Sequence, residues 1–316
     1  MPGRLPAPSP GQQSPPGSVL SDQTKAYLYG LLTVLLWSTV ASAFKLSLRH
    51  MDPFQLLFYS SLFSTLVLVL LLLVRGRVRS LFSCSAGQYL LSAGLGFLNP
   101  FLYYLVLFQA YDLLPAQEAQ PINMTWTITL TLLSIPLLRQ RIGRRDLLAA
   151  AIGYSGVVVI STRGDLLSFR FSSAPGVALA LGSTLIWALY WIYNTKDTRE
   201  PLLGLCLNFL FGLPLTFTAC VIFSTPIIGS PAGLFGAAYV GCFEMGLTFV
   251  WWLLALKLSE NTAKVGNLIF LSPALSLVFI HFLVGEAIRP STYAGLGLIL
   301  AGLVFGRPTK PEPVGG

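Results

Sequence analysis

The sequence predicts an all-α fold: a polytopic membrane protein of ten transmembrane helices built from two inverted five-helix repeats. Three observations carry this expectation. Of 316 residues, 54% are hydrophobic and only 10% are charged, less than half the charge of a usual soluble domain. The apolar residues gather in runs of roughly twenty, the length that crosses a bilayer as a helix. Runs such as Leu62 to Val74 are apolar on every face, whereas strands of a membrane barrel alternate over about ten residues. Finally, the second half of the chain repeats features of the first.

In chain order, residues 1–24 read as a disordered cytosolic tail, because the first twenty positions hold six prolines with Gly, Ser and Gln and no apolar core. Such a stretch is neither a signal peptide nor a helix. The first repeat, 25–163, carries spans at 26–47, 53–74, 88–110, 116–138 and 146–162. Lys45 lies in the last turn of the first span and Arg49 follows it; Arg75, Arg77 and Arg79 follow the second, Arg139, Arg141, Arg144 and Arg145 the fourth, and Arg163 and Arg170 the fifth. The second repeat, 174–307, carries spans at 175–194, 202–224, 233–256, 262–284 and 291–307. Its boundaries are marked by Lys196 and Arg199, by Lys257 and Lys264, and by Arg289. A cytosolic tail, 308–316, ends the chain. With the N-terminus inside, fifteen of the twenty Lys and Arg lie on the cytosolic side and five outside. The positive-inside rule therefore puts both termini in the cytosol, of a plasma (inner) membrane.

The halves resemble each other on direct comparison. Trp37 in Leu-Leu-Trp-Ser-Thr matches Trp187 in Leu-Ile-Trp-Ala-Leu; Gly96-Phe-Leu-Asn99 matches Gly241-Cys-Phe-Glu244; Ala119-Gln-Pro-Ile-Asn123 matches Ala263-Lys-Val-Gly-Asn267. Five helices per half means that the two repeats enter from opposite sides. Inverted repeats mark secondary transporters, with the binding site near the midplane where they meet. Glycines 153 and 156 on the fifth helix, and 295, 297, 302 and 306 on the tenth, allow close approach to a neighbour. That is packing within the bundle or a homodimer contact.

The ordered motifs carry a resemblance. They are Trp37-Ser with Lys45 eight positions on, Trp187-Ala-Leu-Tyr190, Leu271-Ser-Pro-Ala, and Gly285-Glu286 followed by Tyr293-Ala-Gly-Leu-Gly-Leu-Ile-Leu-Ala-Gly302. From about Lys25 to Gly306 the chain resembles the drug/metabolite transporter superfamily and its ten-helix EamA type. Glu118-Ala-Gln-Pro-Ile-Asn-Met-Thr-Trp126 is similar to the Ile-Asn-x-x-Trp-Pro segment of members related to aromatic amino-acid exporters. Two positions depart from the pattern: Arg139-Gln140 stands where the first half usually has Gly-Glu, and Thr127 stands where proline follows the tryptophan. The resemblance implies efflux of a small metabolite, such as an amino acid or related compound.

Glu244 is the first residue to ask about function, because no other charge occurs between Glu200 and Lys257. Ionising a carboxyl in lipid costs ~2.5 kcal/mol or more, so it should face protein or a water-filled path. It reads as a coupling carboxylate for protons or a counter-charge for a substrate amine; the bland alternative is a neutral acid bonded to Thr248. Trp37, Asn99, Trp187 and Glu244 fall at similar depth, and Pro100 and Pro121 interrupt helical bonding beside Asn99 and Asn123. Asn99, Asn123 and Asn267 offer amides to cargo or glue helices. Tyr103, Trp126 and Tyr190 join Trp37 and Trp187 as pathway candidates able to stack on flat or cationic cargo. Tyr104, Trp191, Trp251 and Trp252 read as packing or interfacial belt. Lys45 and Lys264 are gate or interface candidates, Glu286 reads as interfacial, and His281 as structural.

These features exclude several classes. There is no phosphate-cradling loop, no His-Glu-x-x-His and no cysteine cluster, since Cys84, Cys206, Cys220 and Cys242 lie far apart. No enzyme, cofactor, metal site or nucleic-acid partner is expected. The expected partners are a small-molecule substrate, the lipid bilayer and protons. The reading is a secondary transporter working by alternating access; an uncoupled facilitator, a membrane-embedded enzyme or a scaffold are the alternatives.

Overall fold

A computed structural model of the chain describes residues 21–138, 144–167, 171–194, 197–259 and 267–305. The two tails, Arg139-Gln140, Lys264 and Gly306 lie outside the described residues. All regular structure among the described residues is helical. We number ten helical segments: α1 Asp22–Ser47, α2 Pro53–Val74, α3 Ala86–Leu113, α4 Ala116–Asn123 with Trp126–Leu138, and α5 Arg144–Ser161. The second half has α6 Ala174–Asn194, α7 Pro201–Phe223, α8 in three pieces from Pro231 to Leu258, α9 Leu271–Val284 and α10 Pro290–Phe305. Six of them, α1, α2, α3, α6, α7 and α8, are each long and apolar enough to cross a membrane; α5, α9 and α10 are shorter apolar helices.

Local chemistry sets the helix starts. Ser21 accepts from Thr24 N to cap α1; Asp52 and Gln55 form a reciprocal capping box ahead of α2, with Pro53 at the first turn; Ser85 and Gln88 do the same for α3. Each satisfies backbone donors that a helix start leaves open. At the close of α9, Gly285 takes a left-handed φ of 82° that a side chain would resist.

The expected internal symmetry has a physical counterpart in the packing. A Cβ on Gly96 of α3 would collide with the backbone carbonyl of Asn208 on α7, and one on Gly241 of α8 would collide with that of Ser60 on α2. The matched glycines therefore bring α3 onto α7 and α8 onto α2, each crossing from one half to the other. The matched positions Asn99 and Glu244 also both lie where the regular α-helix is interrupted, Asn99 at a non-helical kink and Glu244 in the π-helical turns Val240–Leu247. Wide turns such as that at Glu244 concentrate at functional sites. The small-residue stripes face each other: a Cβ on Gly295 would sit 2.6 Å from the Gly156 carbonyl, and one on Gly302 2.6 Å from that of Ala149. They are used for α5–α10 packing inside the bundle, and among the described residues of this set only Gly297 has open space.

We call the end where α1 starts and α10 finishes the base, and the opposite end the top. Polar ties join the two halves at both ends. At the base, Arg75 and Arg77 pair with Glu200 at 3.3 and 2.7 Å. Arg199, almost fully buried, holds both oxygens of Asp197 at 2.8 and 2.6 Å and donates to Ser92 at 2.7 Å. Burial pushes the Asp197 carboxyl up, but the Arg199 hydrogen bonds outweigh it and hold it below the usual range.

Candidate functional site

A cavity of about 200 Å³ lies between the halves. Of the residues expected on the pathway, Trp37, Tyr103, Asn123, Trp126, Trp187 and Glu244 line it. Its wall is mostly aromatic, and the rings are ordered around Trp187. Tyr103 stacks on Trp187 at 4.4 Å between ring centroids, Tyr190 stacks on it at 5.3 Å, and Trp126 and Trp191 meet it edge-on at 6.4 and 5.8 Å. Trp37 reaches Phe249 at 6.0 Å and Trp252 at 5.6 Å. Phe249 also touches Trp187 at 6.0 Å, so the two matched tryptophans meet across one phenylalanine.

The polar groups are few. Glu244 Oε1 accepts from the buried Tyr104 hydroxyl at 3.3 Å, while Oε2 is buried with no protein partner. Thr248, the partner in the bland alternative for Glu244, donates to the backbone carbonyls of Phe243 and Glu244, the latter at 2.8 Å. The reason is geometric: a threonine on a helix reaches the carbonyl four residues back more readily than that residue's side chain. Asn123 Nδ2 donates to Ser183 at 3.0 Å and its Oδ1 accepts from Tyr103 at 3.5 Å. Gln120 Oε1 accepts from Tyr111 at 2.9 Å. The indole nitrogens of Trp37 and Trp191 are buried without partners.

Asn99 and Tyr190 do not line this cavity. At Asn99 the backbone leaves helical geometry (φ −146°, ψ 117°), which turns the residue into the seam with α7. There its amide and that of Asn208 sit near the Tyr190 hydroxyl without good hydrogen-bond geometry. Tyr190 lines a second, smaller cavity of about 100 Å³ toward the base, with Asn194, Asp197 and Arg199. Trp191, Phe249 and Trp252 border both cavities. Asn267 opens the turn Asn267–Phe270 ahead of α9.

Toward the top the cavity is roofed by packed rings. Phe44 lies 4.8 Å from Phe108 and 5.2 Å from Tyr111, all fully buried. Above them, Lys45 donates to the carbonyls of Tyr111 at 2.6 Å and Leu114 at 2.8 Å, closing the end of α3. Glu286 accepts from the Ala116 and Gln117 backbone amides at 2.8 and 3.1 Å, a carboxylate at the start of α4. Its sequence reading as an interfacial charge misses this cap.

A further group has no sequence signal at all. Glu118, 1% exposed, accepts from Arg163 at 3.1 Å, Arg289 at 3.1 Å and the Ser172 hydroxyl. Gln117 beside it bonds Ala287 O, Arg289 N and Thr292. These contacts join α4 to the start of α10.

Comparison with known proteins agrees with this architecture. The model of the EamA-like transporter family matches twice, over residues 24–162 and 174–306. The chain belongs to the EamA-like transporter family. An uncharacterized transporter of Archaeoglobus fulgidus is 24% identical over 88% of this chain and 94% of its own. The aromatic amino acid exporter YddG of Ancylobacter novellus is 26% identical over 82% of this chain and 88% of its own. A crystal structure with 23% identity superposes with a TM-score of 0.63, covering 90% of this chain and 96% of the other, and shares the fold. As an EamA-like family member, the chain is a membrane transporter, and its doubled match accounts for the mirrored glycines and tryptophans.

Proposed function

We propose that the chain is a secondary transporter that moves a small organic molecule, an amino acid or a related compound, through the central cavity by alternating access. The observation that carries this is Glu244: a carboxylate with one unpartnered oxygen, set in an aromatic cavity between two pseudo-symmetric halves. A buried acid with no cation to pair among the described residues is costly as structure, whereas it serves a site that takes up and releases a proton or a charged cargo. Flat aromatic walls suit a cargo with a planar part. The relative named as an aromatic amino acid exporter supports efflux of such a compound.

In this reading the base, with its arginine-rich loops, faces the cytosol of a plasma membrane. The top, where Glu118, Gln117 and Glu286 tie α4 to the second half, is the closed gate. The test is transport in liposomes with and without a proton gradient. Gradient-driven accumulation that Glu244→Gln abolishes supports coupling through Glu244. Equal movement without a gradient in both proteins would make the chain an uncoupled facilitator.

A further inference from the structure

Arg75 closes α2, and the chain turns at Gly76, whose φ of 64° lies in the left-handed region. Across this turn Arg75 and Arg77 both reach Glu200, with Nη1 of Arg75 at 3.3 Å from Oε1 and Nη1 of Arg77 at 2.7 Å from Oε2. Two guanidinium groups converge on the two oxygens of one anion. Their side chains are 39% and 51% exposed, so an anion from outside the chain can reach them as well. Arg79, two residues on, is also exposed. The surroundings are those of a bilayer surface: Leu73 and Val74, just before Arg75 on a helix long and apolar enough to span, are largely exposed, and so is Phe82 in the short turn Val78–Phe82. Apolar side chains in the open at the end of a spanning helix meet lipid, which sets the arginines beside them at headgroup level.

We propose that Arg75 and Arg77, with Arg79 beside them, bind the phosphate of an anionic phospholipid, and that this headgroup competes with Glu200 for them. A phosphodiester presents two non-bridging oxygens, which guanidinium groups recognise as they do the two oxygens of a carboxylate. Glu200 therefore stands where the phosphate would sit. An ion pair this exposed contributes little to stability, so an anion held at high local concentration by the membrane can replace it. Glu200 reaches these arginines from the second half of the bundle, and a lipid that takes them frees one tie across the base. Lipid charge then governs how easily the base opens.

Two lipids that share a phosphate but differ in net charge provide the test: phosphatidylglycerol and phosphatidylcholine, each added to purified full-length protein. Native mass spectrometry should show phosphatidylglycerol retained in preference. Arg75→Gln and Arg77→Gln should each weaken that retention about fivefold, the effect of one charge near an anionic surface. Glu200→Gln should strengthen it by about two- to fivefold, because the competitor is gone; a variant that failed to fold would lose the preference rather than gain it. Inorganic phosphate should raise the melting temperature no more than chloride at equal ionic strength. In nanodiscs, with the four native cysteines replaced, a maleimide should label a cysteine at Leu205, a buried residue on the base cavity wall, faster with phosphatidylglycerol than with phosphatidylcholine. The Arg75→Gln, Arg77→Gln double variant should show no such difference. Equal retention of the two lipids, unchanged or weaker retention in Glu200→Gln, or specific stabilisation by inorganic phosphate would each overturn the lipid site. Labelling indifferent to lipid charge would overturn its control of the base.

Discussion

Replacing Glu118 with glutamine should unlock the top of the bundle. The carboxylate is 1% exposed and accepts from two guanidinium groups at 3.1 Å each, whose side chains are 43% and 38% exposed. A hydrogen bond to a charged group contributes about 1.5–3 kcal/mol, and a solvated ion pair about 0–1. This pair of bonds is intermediate: the acceptor is buried and the donors reach water. Glutamine keeps one carbonyl acceptor but turns an amide NH2 toward the second arginine. The closed top should therefore lose roughly 1–2 kcal/mol, a factor of about 5–30 in the ratio of closed to open molecules. The assay is labelling of a single cysteine at Leu107, a buried residue on the cavity wall. A membrane-impermeant maleimide is applied from the top side, with the four native cysteines replaced. Glu118→Gln should raise the labelling rate by that factor. An unchanged rate in a folded variant would refute the view that Glu118 holds the gate.

Other expectations follow from the same packing. Asp197→Asn should lower the melting temperature at neutral pH; because the native carboxyl is held below its usual value, the difference should persist above the ordinary aspartate range, near ~3.9, and close as pH falls below it. Gly241→Ala should destabilise by about 1–3 kcal/mol, since its Cβ meets the Ser60 backbone, whereas Gly297→Ala, with open space, should be neutral or slightly stabilising in melting experiments. Glu286→Ala removes two backbone bonds at the start of α4 and should cost roughly 1–2 kcal/mol by the same measurement.

Patterns that repeat along the chain were readable from residues alone. Ten helices follow from apolar length, and the mirror between halves from Trp37 with Trp187 and Gly96 with Gly241, because packing that recurs must reuse similar side chains. Glu244 was readable because its cost in an apolar helix is local and large. Asn99, expected on the pathway, lies beside α7 and does not line the central cavity: depth along a helix is visible in sequence, but the non-helical backbone at Asn99 is not. The bond of Glu244 to Tyr104 joins residues 140 apart, and Glu118 reaches Arg289 across 171 positions. No periodicity encodes such pairs, so Glu118 passed as one letter in a motif. Trp191 and Trp252 illustrate the same limit, since a tryptophan in a membrane helix looks alike whether it faces lipid headgroups or a cavity.

The two boundaries of the central cavity differ in what must move to open them. Between it and the base cavity stand Trp191, Phe249 and Trp252, which border both, so where these rings stand the two spaces are separated by side chains. Rotation of those rings would join the two spaces while every helix stays in place. At the top, hydrogen bonds and ion pairs tie the ends of α3, α4 and α10, so opening there requires whole helices to separate. Side-chain rearrangements are faster than collective helix movements, by orders of magnitude where the rings are loosely held. Exchange with the base compartment should therefore be rapid and repeated, and the slow step of each cycle should be the one that parts the helices.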